Sequence, residues 1–374
     1  MDGKYIPVNE PDLSGNEKNY LLKCIETGWI SSEGPFVREF EEKFSAQVGR
    51  KYGVAVMNGS AALDIAVRAL RLPEGSEVIM PAFTIISCAA AVVRAGLIPV
   101  LVDADPITWN IDVEKIEPKI TSRTKAIMVV HIYGLPTRMD TVLDLAEKYG
   151  LKIIEDAAEM HGQMCDGKPC GGFGDISIFS FYPNKHITTG EGGMVVTDSV
   201  ELAGYCASLR NLCFKPERRF VHDELGYNYR MTNLQAALGL AQLERLSDFV
   251  IRKREIGSFY NDQLADLTAL ELPPSDTSYA RNIYWVYGIV LSESVGFDAE
   301  EAMRRLTVLG VGTRPFFWGM HEQPVFQKMG LFLGERYPVT ERISRRGFYL
   351  PSGLALTKEQ QMHVVDAVRQ ALSR

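Results

Sequence analysis

Between residues 52 and 155 the chain alternates short apolar runs with segments of helical period, and this alternation restricts the fold more than any other feature. Residues 52–57 read as a strand. Residues 60–70 follow as a helix whose Leu63, Ile65, Ala66, Val67 and Leu70 make one broad apolar face. The pairing recurs, with strands expected at 77–80, 98–102, 125–130 and 151–155 and helices at 85–95, 113–120 and 139–149. Such units predict an α/β fold, a mainly parallel sheet with helices on both faces. Ligands of open sheets bind outside the carboxyl ends of the strands, so the residues just after each strand are where chemistry is expected.

From Asp175 the texture changes. Strands are expected at 176–181 and 193–197 across a glycine-rich connection, then one long helix from about 232 to 259. Past Leu272-Pro273-Pro274 the pattern becomes a smaller α+β unit, with a strand at 283–291 and helices at 299–309 and 358–372. A boundary near residue 250 is expected, giving a large unit (1–250) and a small C-terminal unit (251–374). Two units suit a chain of 374 residues at the usual ~100–200 residues per domain.

Lys and Arg total 40 against 47 Asp and Glu, a net charge of -7 without a basic block. Nucleic acid and anionic membranes are therefore not expected as partners. No run approaches the ~18 apolar residues of a membrane span. The first residues, without a basic region followed by an apolar one, do not read as a secretory leader. Cys24, Cys88, Cys165, Cys170, Cys206 and Cys213 are scattered, with no C-x-x-C and no histidine pair at zinc spacing. Reduced thiols, a cytoplasmic location and no metal site are expected.

Three motifs carry chemistry. Asn58-Gly59-Ser60-Ala61-Ala62 lies between a strand and a helix. The glycine permits a sharp turn, and a helix start offers free N–H groups and a positive dipole end to a phosphate. Ser60 as a simple helix cap is the competing reading. No Gly-Lys-Ser/Thr follows, so this is not a Walker loop. Next, Ile153-Ile154-Glu155-Asp156 is an apolar strand ending in carboxylates. Asp156 could pair with a cationic ligand nitrogen or cap the following turn. Third, the strand at 176–181 runs into Tyr182-Pro183-Asn184-Lys185-His186 and a glycine-rich turn ending at Gly193. An amine held among apolar groups has a depressed pKa and can form a Schiff base. Together, a phosphate cradle, an acid for a pyridinium nitrogen and a Schiff-base lysine are what pyridoxal 5'-phosphate requires.

With these motifs, Gly28-Trp29-Ile30-Ser31-Ser32 and Gly226-Tyr227-Asn228-Tyr229-Arg230-Met231-Thr232-Asn233, the chain resembles the DegT/DnrJ/EryC1/StrS sugar-nucleotide aminotransferases over nearly its whole length. The resemblance implies an aspartate-aminotransferase-like fold (fold type I) and pyridoxal 5'-phosphate as cofactor, with pyridoxamine 5'-phosphate as its alternate form. It makes Lys185 the Schiff-base and proton-transfer residue and Asp156 the partner of the ring nitrogen. Glu159, where many relatives have glutamine, would lie near the cofactor's 3-hydroxyl. Gly59, Ser60, the Ala61 amide and Ser180 would hold the phosphate. Asn228 would reach it from a neighbouring subunit, so a homodimer sharing its active sites is implied. Trp29, Arg219, Arg230 and His321 are candidates for the nucleotide-sugar pocket. The arginines could instead form surface ion pairs, and Trp29 could belong to the core.

The implied reaction moves nitrogen from L-glutamate to C4″ of GDP-4-keto-6-deoxy-D-mannose, giving GDP-perosamine for a surface polysaccharide such as the O-antigen of lipopolysaccharide. Alternatives are a dTDP- or UDP-linked keto sugar, a sugar dehydratase, or a non-catalytic regulatory relative. A nicotinamide dehydrogenase is rejected, because no Gly-x-Gly-x-x-Gly opens a helix after a strand. Two departures stand out. Thr84-Ile85 replaces the usual Thr-aromatic pair, so ring stacking passes to aliphatic packing or to Phe83. His186 follows Lys185 directly and reads as a loop residue rather than a base.

Overall fold

The computed structural model describes residues 5–215 and 217–373. Two helices come first, α1 (Glu17–Thr27) and α2 (Pro35–Gln47), and then the expected alternation begins. It runs β1 (Tyr52–Val56), α3 (Gly59–Ala69), β2 (Glu77–Pro81), α4 (Ile86–Arg94), β3 (Ile98–Val102), β4 (Thr124–Val130), α5 (Met139–Tyr149) and β5 (Lys152–Asp156). A small hairpin, β6 (Met164–Cys165) and β7 (Lys168–Pro169), precedes β8 (Ile176–Ser180), β9 (Gly193–Thr197) and α6 (Val200–Arg210). The helices α7 (Asn233–Leu243) and α8 (Leu246–Leu264) follow. The remaining elements are β10 (Leu270–Glu271), β11 (Tyr287–Leu291), α9 (Ala299–Val308), β12 (Arg314–Pro315), α10 (Pro324–Lys328), α11 (Pro338–Arg346), β13 (Gly347–Leu350) and α12 (Lys358–Leu372).

The main sheet has seven strands in the order β1-β9-β8-β5-β4-β2-β3. Only β9 runs against its neighbours, and every other adjacent pair is parallel. Successive side chains leave a strand on opposite faces. Thus Ala126, Met128 and Val130 of β4 enter the core beneath α3, α4 and α6, whereas Ile127 and Val129 enter the core beneath α2, α5 and α7. Burial on both faces explains why these strands are apolar throughout. A second sheet, order β10-β11-β13-β12, is antiparallel and packs with α8, α9 and α12 around Tyr260, Tyr287, Ile289 and Val364.

Three expectations need revision. Residues 113–120 form two short 3-10 turns, Val113–Lys115 and Glu117–Lys119, because Pro118 has no N–H to continue a helix. The long helix breaks at Glu244 and Arg245 into α7 and α8, where Arg245 is drawn out to an ion pair with Asp12 (2.9 Å). The strand expected from residue 283 begins only at Tyr287, since Tyr284 takes a left-handed φ of 47°.

The amino-terminal segment is a strap across the small sheet's unit. Ile6 N donates to Gly310 O (2.9 Å), Gly312 N to Ile6 O (2.8 Å) and Ser352 N to Val8 O (3.2 Å). The Asn9 amide then donates to Pro183 O (3.1 Å), which ties the strap to the Lys185 loop.

Candidate active site

A cavity of about 690 Å³ opens at the carboxyl ends of β1, β2, β5 and β8. Its walls include Gly59, Ser60, Asp156, Glu159, Ser180 and Lys185, so six of the expected site residues converge there. The separate strand ends bring them together: Gly59 and Ser60 after β1, Asp156 ending β5, and Ser180 and Lys185 ending and following β8.

Asn58 stands in extended backbone as the cap of α3, and its Oδ1 accepts from Ala61 N (2.8 Å). The Ala61 N–H, expected at the phosphate, donates to this cap here, and Ala61 is not on the cavity wall. The helix start still presents the dipole end to the cavity. Ser60 Oγ and Ser87 Oγ are 2.7 Å apart, so the beginning of α4 joins the cradle. Gly59 has a packing reason as well, since a Cβ there would lie 2.7 Å from Ser180 Cβ.

Lys185 lies in the turn after β8, with Nζ 3.7 Å from Glu159 Oε1 and 3.6 Å from the centroid of the Trp285 ring. Trp285 is fixed in turn by its Nε1–H, which donates to Asn184 O (2.8 Å). Burial holds the Lys185 amine below its ordinary pKa, opposed by the charges of Glu159 and Asp156. Burial raises the Asp156 carboxyl, opposed by the Ala158 amide, the Cys88 thiol and Lys185. Glu159, buried beside them and accepting from Tyr133 N (2.7 Å), is pushed up to about 8, chiefly by burial. This is a low-dielectric site in which burial disfavours the charged form of one amine and two carboxyl groups.

The other expected residues lie elsewhere on this chain. Asn228 is exposed, and its backbone bridges to Asn211. Trp29 is about half exposed just past α1 (49%). Arg219 is exposed against Phe214 and Phe220, and Arg230 donates to Asn211 Oδ1 (2.7 Å). His321 is buried with Nε2 3.3 Å from Glu341 Oε1, behind the wall rather than on it. Of the residues at the departures, Ile85 lines the cavity, while Phe83 is buried among Tyr133, Phe316 and Phe317. Aliphatic packing is thus what this chain offers at that wall. His186 is buried with Nε2 at Ile283 O (3.2 Å), away from the cavity lining.

Sequence reasoning missed several wall residues. Ser87 follows β2, a position the strand-end rule already marks. Arg314, on the small sheet, makes no ion pair among the described residues and lines the same cavity. Trp285 and Tyr349 carry no local signal, because an aromatic residue in an apolar run reads as core. His131, Glu155 and Cys170 gather behind the sheet with their ligand-type atoms within 4.8 Å of one another. Both Glu155 oxygens there already accept hydrogen bonds, from His131, Gly171 N, Phe173 N and Ser177 Oγ.

Pyridoxal 5'-phosphate fits these residues. The cavity has a phosphate-accepting helix start with two serine hydroxyls, a buried carboxyl for a ring nitrogen, and an amine of depressed pKa between them. Fold and site together define an aspartate-aminotransferase-like enzyme, a fold type I pyridoxal phosphate aminotransferase.

The chain belongs to the DegT/DnrJ/EryC1/StrS aminotransferase family, whose family model matches residues 11–369. It is 41% identical to GDP-perosamine synthase of Escherichia coli O157:H7 over 370 residues, covering 99% of both chains. It is 40% identical to GDP-perosamine synthase of Caulobacter vibrioides, covering 98% of both. Among solved structures, DesI in the presence of its TDP-sugar product superposes with a TM-score of 0.89 at 31% identity, covering 100% of this chain and 94% of that one.

Proposed function

We propose that the chain transfers the amino group of L-glutamate to C4″ of GDP-4-keto-6-deoxy-D-mannose, forming GDP-perosamine and 2-oxoglutarate. The observation that carries the reading is Lys185 set 3.7 Å from Glu159 in one cavity with Asp156, Ser60 and Ser180, in a chain matched along 98–99% of its length by two GDP-perosamine synthases.

Pyridoxal 5'-phosphate, when bound, supplies an electron-withdrawing ring that accepts the electrons of a broken C–H bond. Lys185 would hold the cofactor and move the proton at the reacting carbon, its burial favouring the neutral amine against the pull of the Glu159 and Asp156 charges. Asp156 would keep a positive charge on the ring nitrogen. Glu159 would face the 3-hydroxyl. Gly59, Ser60 and Ser180 would hold the phosphate with the α3 dipole.

The further parts of the reading concern assembly and setting. Asn228 would complete the phosphate site from a second copy, in a homodimer. Trp29, Arg219 and Arg230, exposed or half-buried outside the cavity, would meet the nucleotide sugar there, while His321 would support the wall through the segment after Arg314. Residues 1–250 and 251–374 would form the cofactor-binding and small units. No helix among the described residues is long and apolar enough to cross a membrane, and the reading locates the enzyme in the cytoplasm, serving O-antigen synthesis.

A second reading, a dTDP-linked acceptor, draws on the likeness to DesI with its TDP-sugar product. The test offers GDP-, dTDP- and UDP-linked 4-keto-6-deoxyhexoses together to the cofactor-loaded protein with L-glutamate, and reads the amine by mass spectrometry. A GDP-amino sugar alone is expected; amination of another nucleotide overturns the acceptor, and no amine overturns the reaction. Lys185→Ala is expected to abolish turnover while leaving the circular dichroism spectrum unchanged.

A further inference from the structure

All six cysteines are buried free thiols, and one of them touches the site. Cys88, on the first turn of α4, is completely buried with its Sγ 3.2 Å from Asp156 Oδ2, as donor. Thr84 Oγ1 lies 3.4 Å from the same sulfur, so the threonine hydroxyl can donate to the sulfur while the thiol proton points to the carboxylate. The other carboxylate oxygen, Oδ1, accepts from Ala158 N (3.0 Å). Asp156 is therefore gripped at both oxygens, once by its own backbone turn and once by a side chain from α4.

The grip matters because a terminal carboxylate torsion is broad and roughly two-fold, so a group held at one oxygen can rotate. A partner for a ring nitrogen must present one lone pair in a fixed direction, and must present it ionised in a site whose burial favours the neutral acid. A donor aimed at Oδ2 supplies both, since a hydrogen bond to the charged form favours that form. Burial and the neighbouring Asp156 charge keep the thiol itself protonated, hence a donor.

We propose that Cys88 is a positioning residue whose thiol, together with the Ala158 amide, locks the Asp156 carboxylate in the orientation and charge state in which it pairs with the cofactor's ring nitrogen. The inference rests on the reading of Asp156 given above, and its test separates the two. In the cofactor-free protein, the S–H stretching band of Cys88 is isolated as the infrared difference between wild type and Cys88→Ala. Asp156→Asn is expected to move that band to higher frequency; a band that stays in place means that the thiol does not bond Asp156, and overturns the proposal whatever Asp156 does.

In the loaded protein, Cys88→Val, which removes the donor and adds about one methyl group, is expected to weaken pyridoxal phosphate binding roughly three- to tenfold, the size of one ordinary hydrogen bond. It is also expected to shift the pH titration of the bound cofactor's absorbance, with Cys88→Ser restoring both. Cys88→Ala serves in the same measurements if the valine variant does not fold. If Asp156→Asn disturbs both readouts and neither Cys88 variant does, the positioning role is refuted alone. If Asp156→Asn disturbs neither, the ring-nitrogen reading of Asp156 falls and the Cys88 role falls with it.

Discussion

Gly59→Ala tests the cradle at its tightest point. The added Cβ would sit 2.7 Å from Ser180 Cβ, 3.1 Å from Ser180 Oγ and 3.4 Å from Ser180 Cα, where ordinary contact starts at 3.4 Å. The nearest neighbour is Ser180 Cβ, fixed to the strand-end backbone, so rotating the hydroxyl does not relieve it. Ser180 must retreat by about 0.7 Å, the shortfall between 2.7 and 3.4 Å. A hydroxyl–phosphate bond of about 2.7 Å then stretches towards about 3.4 Å, beyond useful range. Losing a hydrogen bond to a charged group costs about 1.5–3 kcal/mol, or roughly 10- to 150-fold in the dissociation constant for pyridoxal phosphate. Overpacking adds about 1–3 kcal/mol of lost stability. The assay is equilibrium cofactor binding followed by fluorescence, beside a thermal melt of the cofactor-free protein. Gly204→Ala, whose Cβ meets nothing within 4 Å, is the control and is expected to bind normally. Because the effect passes through Ser180, adding Ser180→Ala to Gly59→Ala is expected to cost little more affinity. A variant that melts lower yet binds within twofold of wild type would refute the phosphate assignment, and one unchanged in both would refute the packing argument.

Three further outcomes are expected. Lys253 is fully buried, donating to Trp285 O (2.9 Å) and Ser352 O (2.6 Å), and burial lowers it to about 7. Between pH 7 and about 10 the folded state then holds fewer protons than the unfolded one, so stability rises with pH by about 1.4 kcal/mol per unit from this group, a slope that Lys253→Met is expected to lack in chemical denaturation. Glu159 has the opposite sign: with its pKa raised to about 8, it favours folding most at low pH and loses that contribution as pH rises from about 4.5 to 8. Glu159→Gln in the cofactor-free protein is expected to gain stability relative to wild type across that window and to hold a constant difference above it. Gly134, at φ +106°, would bring a Cβ to 2.5 Å from Tyr284 N and 2.6 Å from Trp285 N, so Gly134→Ala is expected to cost about 3 kcal/mol or more, read as a fall in denaturant midpoint.

How far the sequence reveals this molecule depends on whether the deciding forces are local. Helix Met139–Tyr149 matches the expectation to the residue, because Gly150 takes the left-handed φ of 64° that ends it. Helix Lys358–Leu372 does so because Thr357 and Gln360 form a reciprocal cap. Helix α2 escaped notice although Pro35 sits at its start and Phe36, Phe40 and Phe44 share a face, a signal diluted by the charges between them. The break at Arg245 could not be seen locally, since its cause is Asp12, more than 200 positions away. The same holds in the site. Asp156, Lys185 and Ser60 were legible as strand-end residues, whereas Trp285 over the lysine and Arg314 reach the cavity, and Cys88 reaches Asp156, only through the packing of distant segments.

The strap has a consequence for the order of events during synthesis. Gly59, Asp156, Ser180 and Lys185 are all synthesised well before the chain's last third, yet residues 6–8 find their partners only at Gly310, Gly312 and Ser352. The first stretch of wall to be translated is thus among the last to be seated, and contacts of such long sequence separation form slowly. A nascent chain would carry the chemical groups for the cofactor with one side of their enclosure missing. Retention of the cofactor then becomes a late, post-translational event, and truncations near residue 310 are expected to leave a folded sheet that lets its ligand escape.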